Sequence, residues 1–439
     1  MGVMIYIAVV LALIIATWRR PAAALAGLLS VQVLDFWGQL SHPWFAANGK
    51  VTNIFVVLLV ALAALRALTT RTNEAPGIGT VTILISLLWL YAALSLQWSP
   101  VTPQGLSFWF SYWPYMVAVV LFLPLLFRQP NDSSDAILAV VAVALVMCLA
   151  AAFLTDWTNR SLISGWNAKK SFGNALAFAQ LAGYLALAAV LLNIPRSRLW
   201  LALRLIAIAI AIFVTVKSGT RGQLFSAIAL GLLFIPFSRP TNSWGRYLSF
   251  GFLAIILLVA LNLGYEYAAK SDARWSSAHL ESDTTMRFKM AFALIDHWLA
   301  AAASDPTIYL TGLGNGAAFS QKIVGFYPHV VPLEILGEEG VIGFVLFVVV
   351  ILITFKNFWA AHRATRGNAH ERGVVTTLGA WFAFALILSL KQGSLVNYTP
   401  EIFTIAVVLN RQARLLTQRK QIETPIENTH HGVLSCSLR

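Results

Sequence analysis

Apolar residues come in long unbroken runs, and polar residues collect in the short gaps between them. The runs fall near 3–18, 21–37, 51–68, 79–97, 109–127, 136–154, 174–193, 199–216, 222–237, 246–264, 332–355, 374–390 and 400–412. Most approach the roughly 20 residues that cross a bilayer as an α-helix. A membrane barrel would instead show short segments of alternating polarity, and lipid excludes any span whose backbone is left unpaired. The pattern predicts an all-α integral membrane protein of about twelve transmembrane helices. The first two runs and the last are short, which leaves the count at twelve or thirteen.

Composition agrees with this. Of 439 residues, 58% are hydrophobic and 11% charged, against about 25% charged in a soluble domain. A net charge of +13 would suit nucleic acid, but the basic residues sit in short gaps between apolar runs, where membrane topology accounts for many of them. Nucleic acid is not an expected partner. Cys148 lies within a run and Cys436 in the tail, so the two cysteines supply neither a disulfide framework nor metal-ligand spacing. In MGVMIYIAVVLALIIATWRR the charges follow the apolar stretch, which reads as a first span rather than a cleaved signal.

Charge also sets the orientation. The gap 356–373 carries Lys356, Arg363, Arg366 and Arg372, and the tail carries Arg411, Arg414, Arg419, Lys420 and Arg439, so both are assigned to the cytoplasm. Alternating back from there puts 19 of the 31 Lys and Arg inside and 12 outside. The chain divides into N-terminal spans 1–264, one large outer loop 265–331, C-terminal spans 332–412 and a cytoplasmic tail 413–439, all one membrane domain. Within the loop, TTMRFKMAFALIDHWLAAAAS repeats apolar pairs at Met290/Ala291, Leu294/Ile295 and Trp298/Leu299. This predicts an amphipathic helix along the membrane surface.

The outer side holds the candidate chemistry. Lys217 and Arg221 flank the very short connection VKSGTRGQL, where Gly219 and Gly222 allow a tight turn and close approach to a ligand. Arg287 and Lys289 lie on the predicted loop helix, and two residues so spaced do not share a face, so at most one should point at a common ligand. Arg274 and the pair Lys169/Lys170 are weaker members of the set. Cations at a membrane edge are costly and often functional; the ordinary alternative is snorkelling from a helix end. An arginine fork suits phosphate, because it donates two hydrogen bonds at once. His329, just before the apolar run that follows the loop, has a side chain suited to general-base work near neutral pH. Glu334, Glu338 and Glu339 are unusual at the start of an apolar run, and are supporting candidates that would orient the base, pair with arginines or contact an acceptor. A phosphate-binding loop, a dinucleotide fingerprint, HExxH, CxxC, GxSxG and DxD are all missing from the sequence, and only a lone ExD, Glu281 and Asp283, hints at metal.

Taken in order, SGTRGQL, an arginine on a loop helix, GLGNGAAF and YPHVVPLEILGEEGVIGF resemble the bacterial O-antigen ligases, over about residues 215–345. That superfamily also holds O-antigen polymerases and protein O-oligosaccharyltransferases. The resemblance implies a multi-pass protein of the bacterial inner membrane, its active site facing the periplasm and its large loop periplasmic. It implies metal-independent transfer, without a cofactor, of a glycan from undecaprenyl diphosphate to a sugar hydroxyl of lipid A–core. On this likeness Arg221 and Arg287, with Lys217 nearby, grip the diphosphate, and His329 is the catalytic base. One position departs: Val330 stands where family members often carry Asn after the histidine. The related alternatives are polymerase and protein glycosylation. The alternative from another class is a transporter of an anionic lipid or metabolite, which would be expected to carry ionisable groups mid-span and broken, repeated helices.

Overall fold

The computed structural model describes residues 1–69, 78–157, 161–162, 175–194, 197–239 and 277–423. Among them run thirteen principal helices: α1 Gly2–Arg19, α2 Ala24–Ser41, α3 Val51–Thr69, α4 Thr80–Ser95, α5 Thr102–Leu126, α6 Asp132–Leu154, α7 Ala175–Leu191, α8 Arg198–Lys217, α9 Arg221–Ser238, α10 Ser277–Ser304, α11 Val331–Ala364, α12 Ala369–Ser389 and α13 Thr399–Glu423. A pair of two-residue strands, Thr155–Asp156 against Ser161–Leu162, is the one β-pairing among the described residues. Nine of the helices are long and apolar enough to cross a membrane; α4 and α7 are apolar but shorter. Each apolar run read from the sequence coincides with one helix, except 246–264, which lies outside the described residues. The protein is an all-α membrane protein.

The bundle is arranged around α2 and α12, whose apolar windows are each 78% buried, while α8 is only 22% and α1 28% buried. At the centre, the Trp381 indole donates to the Tyr184 carbonyl at 3.0 Å, and Trp37 donates to the Gly2 carbonyl at 3.0 Å. These two large rings thus fill the core with their N–H groups satisfied. On the periphery the polarity is inverted relative to a soluble fold. Leu58, Leu62 and Leu65 of α3 and Leu201 and Leu205 of α8 are all exposed. Such continuous apolar ridges suit hydrocarbon rather than water.

Helix ends are fixed by local chemistry. Asn368 caps α12, its Oδ1 accepting the N–H groups of His370 and Glu371, both at 3.1 Å. At the same end, Arg419 of α13 forms a bidentate pair with Glu371 at 2.6 Å for both contacts. The opposite end gathers the start of α9, the helix α10, the segment 305–330 and the connection 390–398. It is there that the sequence placed its candidates.

Candidate functional site

α11 begins at Val331 with Pro332 in its first turn, a position where the missing N–H costs nothing. Its three glutamates are buried. Glu338 accepts the N–H of Gly316 at 2.8 Å through one oxygen and that of Ala318 at 2.9 Å through the other. Glu339 accepts the Asn315 amide at 2.9 Å, and the loop's backbone N–H groups at Leu313 and Gly314 donate to the carbonyls of Gly337 and Glu338 at 3.0 and 2.8 Å. Gly312 and Gly340 sit back to back at φ +74 and +64, where a Cβ would lie 2.2 Å from the Glu338 carbonyl oxygen and 2.4 Å from that of Leu310, respectively. GLGNGAAF is therefore filled by the protein's own backbone. Glu338 supports this loop, with both its oxygens taken by loop N–H groups. Glu334 works across a different seam, accepting the Leu395 N–H at 3.1 Å and so fastening α11 to the 390–398 connection.

The basic residues assemble on that connection. α9 starts at Arg221, after a turn at Gly219 with φ +71. A cation here stands on the positive end of the helix dipole, an arrangement that is unfavourable by itself and attracts anions. The next residue, Gly222, leaves room for the Lys391 side chain: a Cβ there would come within 2.0 Å of Nζ. So the close approach expected for a ligand at Gly222 is made by Lys391. Its ammonium donates to Gln223 Oε1 at 2.8 Å, and the Lys391 carbonyl accepts from the Arg287 guanidinium at 2.7 Å. Burial first, and Arg287 second, push Lys391 down to about 7. Lys391 makes no ion pair among the described residues. Burial and the neighbouring guanidinium thus both disfavour the charged form of Lys391.

His329 comes next to this cluster through Tyr327. The His329 and Tyr327 rings meet at 4.4 Å between centroids, and the Phe326 ring, packed against that of Tyr327, lies 5.5 Å from His329. Tyr327 in turn feels both Glu334 and Arg287. Burial and the Glu334 charge raise its hydroxyl above the usual 10, against the opposing pull of Arg287. His329 is half-buried, and its φ of +61 is the only positive value at a non-glycine among the described residues. Such backbone outliers concentrate at functional sites, where surrounding structure over-determines them.

The structure brings together Arg287, His329, Glu334 and the start of α9 at Arg221, and leaves others at a distance from this junction. Lys217 ends α8 and is exposed, as is Lys289, whose side chain leaves α10 on a face other than that of half-buried Arg287. Arg274 and Lys169/Lys170 lie outside the described residues, as do the side chains of Glu281 and Asp283. α10 itself buries Ala291, Leu294 and Trp298, with Gly337 of α11 close against Leu294, and exposes Phe288, Phe292 and Leu299. Sequence reading passed over Lys391, Gln223 and Tyr327. For Lys391 the signal was present: a lone cation at the end of an apolar run, as at Arg221. No family model matches the chain, and comparison with curated proteins gives no match.

Proposed function

We propose that the chain is a membrane glycan transferase of the O-antigen ligase type, moving a glycan from undecaprenyl diphosphate to a sugar hydroxyl of lipid A–core. In this reading it has twelve or thirteen spans in the bacterial inner membrane, and the junction of α9, α10, α11 and the 390–398 connection faces the periplasm. The observation that supports it most is the cation pair Arg287–Lys391, set against the start of α9 with His329 one aromatic ring away. A diphosphate bound there would set a negative charge beside Lys391, which has no ion-pair partner among the described residues, and restore its charged form.

The chemistry follows from charge and protons. The acceptor hydroxyl oxygen attacks the anomeric carbon as the bond to the diphosphate oxygen breaks, and a single displacement inverts that carbon. The leaving group departs as the lipid diphosphate anion, whose developing charge the guanidinium groups and Lys391 stabilise without having to reorganise. The hydroxyl proton passes to a ring nitrogen of His329. No general acid is needed, since a diphosphate is a stable anion once its charge is met. The lipid tail lies among the apolar helices, and the exposed face of α10, Phe288 with Phe292, lies along the bilayer surface.

Purified protein in detergent, supplied with undecaprenyl-diphosphate-linked glycan, lipid A–core and EDTA, tests this directly. A mobility shift of lipid A–core with wild type, missing with His329→Ala, is the expected result. Lengthening of the lipid-linked glycan alone would make the protein a polymerase. Neither product would overturn the reading and turn attention to protein acceptors or to transport.

A further inference from the structure

A second polar region lies at the same end of the bundle, in the spans themselves. A cavity of about 210 Å³ opens between α2, α3, α5, α7 and α13. Its polar lining includes Asp35 and Glu401, Gln32 and Gln180, Asn53 and Asn397. Tyr112 and Tyr115 face it from α5, just before the helix widens into a wider-than-α turn at Ala118–Phe122, following Pro114. Such turns recur at functional sites in membrane and soluble helices. No lysine, arginine or histidine is among the described residues that line it. Ionisable groups within apolar helices are expensive, and their presence around a void points to a ligand.

The cavity is wired to the cation cluster. Gln223, which accepts from Lys391, donates to Gln392 Oε1 at 2.8 Å; Gln392 donates to Gln180 Oε1 at 2.8 Å; and Gln180 donates to the Tyr398 hydroxyl at 3.1 Å. The ammonium of Lys391 can only donate, so it sets the orientation of every amide after it. The far end of the 390–398 connection reaches the cavity at Asn397, held by the Ser394 N–H at 2.7 Å. One short connection thus carries a residue of each site.

We propose that this cavity is a subsite for one neutral, hydroxyl-rich sugar ring, resting on the transferase reading above. Its volume corresponds to about seven waters, the scale of a single pyranose. Carboxylates accept from hydroxyls, amides both donate and accept, and the tyrosine rings offer flat apolar faces to the C–H side of a sugar. A bare metal ion fits less well, because it needs several oxygens converging on one point, and no group of three Asp, Glu, His or Cys side chains gathers among the described residues. The ring belongs either to the donor glycan or to the acceptor core.

Saturation-transfer NMR on the purified full chain in detergent tests the proposal, with free glucose, galactose and N-acetylglucosamine as probes. Wild type and Arg287→Ala should transfer saturation to at least one sugar. Glu401→Gln, Asp35→Asn and Tyr112→Phe, each checked for an unchanged melting temperature, should weaken that binding on the order of tenfold, the loss expected for a hydrogen bond to a charged group. Displacement of the bound sugar by glycan released from the donor, or instead by delipidated core oligosaccharide, identifies its source. No transfer to any sugar, or transfer unchanged in all three variants, overturns the proposal. Stabilisation by Na⁺ or Mg²⁺ that is lost in Glu401→Gln, with no sugar bound, also overturns it and makes this a cation site. Glycan transfer without sugar binding would remove the subsite and leave the transferase reading; sugar binding without glycan transfer would do the reverse.

Discussion

Glu338 is buried and Lys391 half-buried, both are ionisable and both lie at the same end of the bundle, yet their surroundings are opposite. Each oxygen of Glu338 meets a backbone N–H from the 312–318 loop. Lys391 has one amide oxygen and, beside it, another cation. The first arrangement is complete within the chain: it closes a glycine-rich loop on a helix and leaves that carboxyl nothing to offer a ligand. The second is a local conflict, and such conflicts persist where function requires them. Buried polarity by itself therefore says little. What separates a fastening from a binding site is whether the protein supplies the partner.

The largest test of this contrast is His329→Ala, which should lower glycan transfer by about 10²–10⁴, the usual contribution of a general base, while leaving donor binding unchanged. Loss of donor binding as well would make His329 a phosphate contact. Next, Arg287→Ala should cost about 10²–10³ in rate, as for removal of one preorganised charge-stabilising donor. Arg287→Lys should recover part of it, since a lysine cannot reproduce the fork. Wild-type rates in Arg287→Ala with normal expression would show that the cation pair has no role in transfer.

Glu338→Ala sharpens the other half. It strands two buried N–H groups, at about 1–3 kcal/mol each, so the melting temperature in detergent should fall clearly. A variant that melts like wild type would mean the loop is held by its Gly312–Gly340 packing alone. For Lys391 the effect is smaller and depends on pH. Its folded-state value near 7, against 10.5 for a free lysine, means the unfolded chain holds more protons between those values. This group's contribution to stability therefore rises with pH across that window. Anion binding runs the other way, because a diphosphate prefers the ammonium. Donor affinity should fall by up to about tenfold per pH unit above 7, and Lys391→Met should flatten that dependence; an equally steep fall in the variant would assign it to another group.

Much of this was legible in the chain, and the reasons are particular. Apolar runs report helices directly, because lipid permits no other use of them, so the runs within the described residues matched helices one for one. Arg221 and His329 stood out as polar residues at run ends, and Arg287 as a cation on the predicted loop helix. The roles of Glu338 and Gly222 did not, because their partners, Gly316 and Lys391, are distant in sequence, and only the fold shows that protein atoms fill the space a ligand was expected to take. Gln223 and Tyr327 carry no charge at neutral pH, so a search for charges at run ends passes over them. The cavity residues Asp35 and Glu401 lie within apolar runs on helices far apart in the chain, and nothing in their local sequence predicts that they face a common void.

The smallest effect belongs to Lys217 and Lys289, which the sequence could not separate from Arg221 and Arg287. Both are exposed, so water screens their charge and their long stems carry large conformational freedom. An exposed pair contributes about 0.2–1 kcal/mol at most, which bounds the expected loss at about fivefold for either alanine variant. Whatever loss appears should shrink as salt is raised, since screening at physiological ionic strength acts over about 8 Å, whereas the Arg287 loss should persist because that group is partly desolvated. A salt-insensitive loss of a hundredfold at Lys289 would mean that this side chain swings onto the ligand when donor binds. The cation cluster would then be larger in the donor-bound protein than Arg287 and Lys391, and α10 would have to turn on its Ala291–Leu294–Trp298 face to deliver it.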